Sequence, residues 1–179
     1  QLSMQAFPAL PAEDYRYSVL YINGEYRGIY NIREAHSATH YAEHYGYDED
    51  TVSQWQAEWP HDSYVEEIYQ FAMNNDLRLD ENYDYVRSHV NVDSVIGWCI
   101  MQVYSGNFDF NSPNMRFYLS TQDQQLRYAL VDLDLGMFDV GIYAGVFQFG
   151  YDYNNLANAM LKNEHFRLEF VRQLKKALD

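Results

Sequence analysis

Two short acidic segments carry the residues of this sequence that could bind a metal ion or move a proton. The first, GNFDFNSPNMRFY, contains Asp109 and, five residues later, Asn114. The second, LVDLDLG, contains Asp132 and Asp134 among apolar neighbours. Carboxylate and amide oxygens suit Mg²⁺, Mn²⁺ or Ca²⁺ rather than zinc. The residue types therefore predict a site for a hard divalent cation.

The predicted secondary structure brings the two segments together. Residues 115–120 and 126–133 are predicted to form two strands joined by a polar turn. Such a hairpin returns Asp132 to the side of Asn114 and Asp109. Unpaired carboxylates that emerge from a hydrophobic strand would cost several kcal/mol. A divalent cation is the simplest compensation for that cost.

This set of ligands matches the needs of phosphoryl transfer. One Asp orients the attacking hydroxyl, an Asn five residues later holds a metal ion, and an Asp after a hairpin holds the metal that bridges the phosphates. A purely structural interpretation also stays open. In it, Asp109 and Asn111 are turn residues before Pro113, and Asp132 or Asp134 caps a strand end.

The pattern of apolar residues predicts an α+β chain. Two β-rich runs over 16–33 flank Asn23 and Gly24, which accept the positive φ angles of a tight hairpin turn. Four segments are predicted to be helices, namely 35–45, 63–75, 94–105 and 164–178, and apolar residues recur at helical spacing in the second and the last of them. The third segment is apolar nearly all round, which predicts a buried helix that begins at Asp93 as its cap and ends at Gly106.

Composition excludes several classes of function. The 179 residues carry a formal net charge of −14, and such an acidic surface disfavours nucleic acid and anionic membranes as partners. No apolar run approaches the length of a membrane-spanning helix. The single cysteine excludes an internal disulfide and a thiolate zinc site.

Four segments, in the right order, resemble the CotH family of spore coat protein H-like atypical kinases. They are YINGEYRGIYNIRE at 21–34, the helix and loop at 92–118, LVDLDLGMF at 130–138 and LKNEHFRLEFVRQL at 161–174. The resemblance implies a divergent protein-kinase-like fold. It also implies that ATP and Mg²⁺ or Mn²⁺ are used to transfer phosphate to Ser or Thr residues of secreted or coat proteins.

The resemblance assigns roles residue by residue. Asp109 would be the catalytic Asp, and Asn114 and Asp132 would be metal ligands. Asp134 would be a second metal ligand or a supporting carboxylate. Glu34 follows the second hairpin strand, near the lobe connection of a kinase-like fold, where it could contact the nucleotide. A surface carboxylate at a helix start is the alternative for Glu34.

The resemblance also predicts how the single domain is organised. A β-hairpin remnant of the N-lobe would occupy 1–34 and mainly C-lobe the remaining 35–179, and we expect the domain to be truncated at its N-terminus. A kinase needs a cation on the ATP phosphates, usually an N-lobe lysine. No lysine precedes Lys162. We therefore expect either that the N-lobe part that carries this cation lies before Gln1 or that the chain is a degenerate kinase. Substitution by Arg27 or Arg33 as a point charge is the less favoured alternative.

Three functions therefore stay open. The first is a metal-dependent kinase acting on a Ser-containing, possibly basic protein, with a bacterial secreted, cell-surface or spore-coat location. The second is a non-catalytic pseudokinase or surface binding module that recognises a protein or a glycan. The third is a hydrolase that uses Asp109 and Asp134 as a carboxylate pair.

Three histidines are spaced so that they would share one face of the first predicted helix. His36, His40 and His44 follow one another at intervals of four residues. Such a stripe could bind a metal. We favour a solvated, partly charged helix face, because no cysteine or separate further ligand is evident nearby.

Overall fold

The computed structural model describes residues 6–56, 63–107, 109–110, 114–134, 136 and 155–178. The described chain is α+β, as predicted, and its strands form two small antiparallel sheets. The strands are β1 (Tyr15–Ile22), β2 (Glu25–Arg33), β3 (Val52–Gln56), β4 (Arg116–Ser120) and β5 (Leu126–Ala129). The helices are α1 (Ala38–Tyr45), α2 (Ser63–Asn74), α3 (Asp80–His89), α4 (Val92–Ser105), α5 (Asn155–Met160) and α6 (Glu164–Leu178), with a 3₁₀ turn at Glu49–Thr51.

The predicted hairpin is confirmed as the β1–β2 sheet. Its turn lies at Asn23 and Gly24, whose φ angles of 52° and 84° are the positive values that this turn requires. The strands pair antiparallel up to Ile22 opposite Glu25. Large side chains are exposed along both strands, among them Tyr17, Val19, Tyr21, Tyr26, Ile29, Tyr30 and Ile32.

The second sheet has the order β3–β4–β5. The antiparallel pairing of β4 with β5 is confirmed. β5 ends at Ala129 rather than at residue 133, because Leu130 leaves the ladder and donates its N–H to the carbonyl of Pro11 at 2.7 Å. Leu130 thus pairs with the N-terminal segment instead of with β4, and the acidic segment that follows it lies outside the sheet.

The helix α4 is buried nearly all round, as predicted. Every residue from Ser94 to Gln102 is buried, and Gly106 ends the helix in the left-handed conformation. The predicted cap is wrong, because the side chain of Asn91 accepts the backbone N–H of Ser94 at 2.9 Å. Asp93 instead lies in the first turn of the helix.

The other predicted helices are present: α6 has the predicted bounds, α2 ends one residue earlier, and α1 starts later. α1 begins at Ala38 rather than at 35, because Ser37 adopts an extended backbone and its Oγ accepts the N–H of His40. On α6, Phe166 is fully buried and Leu178 is exposed, so the predicted apolar stripe faces the core except at its last turn. None of the helices in the described ranges has the length and apolar character needed to cross a bilayer.

Candidate functional site

A buried asparagine at the end of α4 organises the loop that follows. The Asn107 side chain is fully buried, and its Nδ2 donates to Gln102 Oε1 at 2.9 Å. Its Oδ1 accepts the backbone N–H of Asp109 at 3.1 Å. The same Nδ2 also donates to the carbonyl oxygen of Asp132 at 3.3 Å. One side chain therefore connects α4 to both acidic segments.

The five-residue spacing between Asp109 and Asn114 closes a compact loop. Asn114 Nδ2 donates to both the backbone oxygen and the Oδ2 of Asp109, each at 2.9 Å. Because the amide hydrogens are used in this way, the Asn114 side-chain oxygen remains as the acceptor of that group. Asp109 is half-buried, and the hydrogen bond fixes the orientation of its carboxylate.

Asp132 lies at a bend with an unusual backbone conformation. Its φ of 48° is in the left-handed region, which costs a non-glycine residue roughly 1–2 kcal/mol, although Asp and Asn tolerate it best. Although Asp132 is exposed, desolvation raises the pKa of its carboxyl, and the nearby carboxyls of Asp134 and Asp109 raise it further. The charge of Arg33 acts in the opposite direction.

These observations bear on whether the residues suit a divalent cation. The carboxyls of Asp109 and Asp134 are close enough to Asp132 to disfavour its ionisation. Asn114 adds an amide oxygen to the same neighbourhood. A set of oxygen donors with excess negative charge is the chemistry that Mg²⁺ and Mn²⁺ require. The residues therefore fit such an ion, and their roles as ligands stay predictions.

A cavity of about 440 Å³ lies beside these residues. It opens between the base of the hairpin and the β3–β4–β5 sheet. Its lining includes Arg33, His36, Gln56, Asn114, Arg116 and Asp132. The cavity thus places two guanidinium groups and two predicted metal ligands around one space.

Glu34 lies next to this cavity but does not line it. It is absent from the cavity lining, although its neighbours Arg33 and Ala35 belong to it. Glu34 Oε2 accepts the backbone N–H of Asp14 at 3.0 Å, and the other carboxylate oxygen, Oε1, lies 3.2 Å from His44 Nε2. The hydrogen bond from Asp14 and the neighbouring histidines lower the pKa of Glu34. Its contact with nucleotide stays a prediction.

The favoured interpretation of the three histidines is wrong for two of them. His36 precedes α1 instead of lying on it, and only 5% of its side chain is exposed. His40 is buried as well, with 6% of its side chain exposed. Burial lowers the pKa of His36 to about 4 and also lowers the pKa of His40. Of the three, His44 remains substantially exposed.

Sequence reasoning missed two residues of the site. Asn107 could have been suspected from its place directly after Gly106, the glycine that ends α4. Arg116 stands two residues after Asn114 and is the first residue of β4. Both signals are weak without coordinates, because each role depends on partners distant in the sequence.

The comparisons agree with the resemblance. A family model described as CotH kinase protein matches residues 3–179. The chain therefore belongs to the CotH kinase family, and this membership indicates a kinase-like protein. A search among curated proteins finds no significant match.

Proposed function

We propose that this chain is the catalytic part of a metal-dependent protein kinase that transfers the γ-phosphate of ATP to Ser or Thr residues of a protein. The observation that carries the proposal is the arrangement of Asp109, Asn114 and Asp132. Asn114 is hydrogen-bonded to Asp109 and lines one cavity together with Asp132. This is the ligand set that phosphoryl transfer requires.

The proposed fold is a divergent kinase-like arrangement. The β1–β2 hairpin would be the N-lobe portion, and the chain from Ala35 onward would be mainly the C-lobe. In this arrangement the cavity at the base of the hairpin corresponds to the space between the lobes, where a nucleotide binds in kinases. The presence of Arg33 and Asp132 on its walls supports that position.

Asp109 is the proposed acceptor of the substrate proton. As the hydroxyl oxygen of Ser or Thr forms a bond to the γ-phosphorus, the bond from that phosphorus to the β,γ-bridging oxygen breaks and ADP leaves. The hydroxyl proton passes to the Asp109 carboxylate and then to solvent. The hydrogen bond from Asn114 holds that carboxylate in one orientation throughout.

Asn114 and Asp132, with Asp134 as a further carboxylate, are the residues that would hold Mg²⁺ or Mn²⁺. When bound, the ion neutralises charge on the phosphates. Arg33 and Arg116 line the same cavity, and a guanidinium can donate two hydrogen bonds to phosphate oxygens. These arginines are the proposed substitute for the lysine that the first 161 residues lack.

The proposed substrate is a Ser-containing protein of basic character. A chain with a net charge of −14 attracts basic partners at long range and repels acidic ones. The proposed location, outside the cell or in a spore coat, comes from the family resemblance alone.

The decisive experiment combines phosphate transfer with metal binding. The full-length protein is incubated with γ-labelled ATP, Mn²⁺ and casein, and label on casein or on the protein itself is counted. Asp109→Ala should abolish the label, whereas Asp132→Asn should abolish both the label and Mn²⁺ binding in calorimetry. Asp84→Asn, which removes an exposed carboxylate paired with Arg87, is the matched control and should keep both.

A pseudokinase is the second candidate, favoured by the lack of lysine before Lys162. It predicts that the wild-type protein transfers no label at any Mn²⁺ concentration. This candidate would be favoured if the wild type bound Mn²⁺ and ATP without transferring label and if Asp132→Asn removed that binding. Transfer that persists in Asp109→Ala would contradict the mechanism proposed above.

A further inference from the structure

A second cluster of potential metal ligands lies at the base of the hairpin. It consists of Glu34, directly after β2, and of His40 and His44 on α1. One ligand atom from each of these residues lies within 4.8 Å of the other two. This cluster contains imidazole nitrogens, unlike the oxygen donors around Asp132, so its chemistry is different.

The distances in the cluster are close to those of a tetrahedral site. Glu34 Oε1 lies 3.2 Å from His44 Nε2, and Glu34 Oε2 lies 3.8 Å from His40 Nδ1. A tetrahedral zinc ion with bonds of about 2.0–2.2 Å holds its ligand atoms about 3.3–3.5 Å apart. Small side-chain rotations therefore bring all three atoms to coordinating distance.

The secondary structure predisposes these side chains to converge. His40 and His44 are four residues apart on α1, so their rings stand on one face of the helix, with centroids 4.5 Å apart. The Glu34 carboxylate also accepts a hydrogen bond from the backbone N–H of Asp14 at 3.0 Å. Such outer hydrogen bonds orient metal ligands in proteins.

The protonation states suit a cation as well. Burial and the neighbouring His44 lower the pKa of His40, so its imidazole is neutral at neutral pH and can offer a lone pair. The His40 nitrogen that faces Glu34 is Nδ1, at 3.8 Å from Oε2. The lowered pKa of Glu34 keeps its carboxylate ionised.

We propose that Glu34, His40 and His44 bind a divalent transition-metal ion, with Zn²⁺ as the best fit and a solvent molecule in the fourth position. Two imidazoles and one carboxylate form a ligand set typical of zinc. The ion links the end of β2 to α1 and so fixes the hairpin relative to the helix. This site is separate from the carboxylates around Asp132 and does not depend on kinase activity.

The test uses metal-free protein titrated with Zn²⁺ in a calorimeter and with Co²⁺ in a spectrophotometer. The wild type should bind one Zn²⁺ per chain at this site, and Co²⁺ should give the visible absorption of a tetrahedral complex. Glu34→Gln and His44→Ala should each weaken Zn²⁺ binding at least tenfold. His44 is exposed, so its replacement leaves the fold intact.

Two controls separate this site from other sources of affinity. His165→Ala removes an exposed histidine that lies 3.6 Å from Asp80, and it should leave Zn²⁺ binding unchanged. Asp132→Asn should also keep Zn²⁺ binding while it loses Mn²⁺ binding. No saturable Zn²⁺ binding by the wild type overturns the proposal. Binding that survives His44→Ala, or that Asp132→Asn removes, overturns it too.

Discussion

Asn107 donates a hydrogen bond from its side-chain Nδ2 to the carbonyl oxygen of Asp132, across 3.3 Å. The two residues are 25 positions apart, and the bond joins the loop after α4 to the bend that follows β5. Asn107 also holds the backbone N–H of Asp109. The relative position of the two acidic segments therefore depends on one buried amide.

Asn107→Ala should destabilise the protein and loosen the candidate site. The change leaves Gln102 Oε1 and the Asp109 N–H without their present partner in a buried region, which costs about 1–3 kcal/mol for each unsatisfied group. We expect a loss of about 2–4 kcal/mol in urea denaturation, together with weaker Mn²⁺ binding. Asn74→Ala, at an exposed helix position, should cost less than about 1 kcal/mol and serves as the control.

Asp132→Asn should leave stability unchanged or raise it slightly when divalent cations are absent. The pKa of Asp132 is raised in the folded state, so its ionised form disfavours folding at neutral pH. Because the residue is exposed and its charge is screened, the gain should stay below about 0.5 kcal/mol. Asn also tolerates the left-handed backbone, whereas Asp132→Ala should lose about 1 kcal/mol by comparison. A large loss in Asp132→Asn would contradict this reasoning.

Much of the fold could be predicted because its signals are local. Asn23 and Gly24 specify the hairpin turn, and the apolar residues of α4 specify a buried helix. The cap of α4 was misplaced because Asn91 and Asp93 are both capping residue types, and only the hydrogen bond to Ser94 separates them. Local sequence patterns therefore predict the presence of a helix or strand more reliably than the residues at which it begins and ends.

The elements that were not predicted lack such local signals. β3 has the sequence VSQWQ, in which three of five residues are polar, and it is a strand because its backbone pairs with β4. α3 buries just Tyr83 and Val86 among its ten residues, which is too few for a periodic pattern. Both elements are stabilised by neighbours that are distant in the sequence.

In the candidate site, too, the features that are local in the sequence could be predicted and the others could not. The spacing of Asp109 and Asn114 is visible in the sequence, since the loop that joins them is local. The cluster around Glu34 is not visible, because one ligand follows a strand and the others lie on a helix. The sequence showed the histidines, but it did not show that a carboxylate faces them.

Gly106→Ala should cost stability through its backbone alone. Gly106 has a φ of 61°, and a Cβ added there would meet nothing within 4 Å. The expected loss is therefore the strain of a left-handed alanine, about 1–2 kcal/mol, measured by urea denaturation. Gly106→Asn should lose less, because asparagine tolerates this conformation. Equal losses in both variants would point to a steric cause instead.

Asp123→Asn should destabilise the protein by removing the partner of a buried cation. Only 10% of the Arg127 side chain is exposed, and both of its terminal nitrogens donate to Asp123. Asparagine keeps the shape of the side chain but leaves the guanidinium charge uncompensated. We expect a loss of about 1–3 kcal/mol at pH 7.

The loss of stability in Asp123→Asn should become smaller as the pH falls. Burial alone would raise the pKa of Asp123, but the hydrogen bonds from Arg127 and Tyr47 outweigh it and lower the pKa. The ion pair therefore contributes fully above the ordinary pKa of about 4 and is lost as the pH falls through the lower value in the folded protein. The difference in unfolding free energy between wild type and Asp123→Asn should shrink below about pH 4. A difference that is constant from pH 7 to pH 2 would show that shape, not charge, explains the loss.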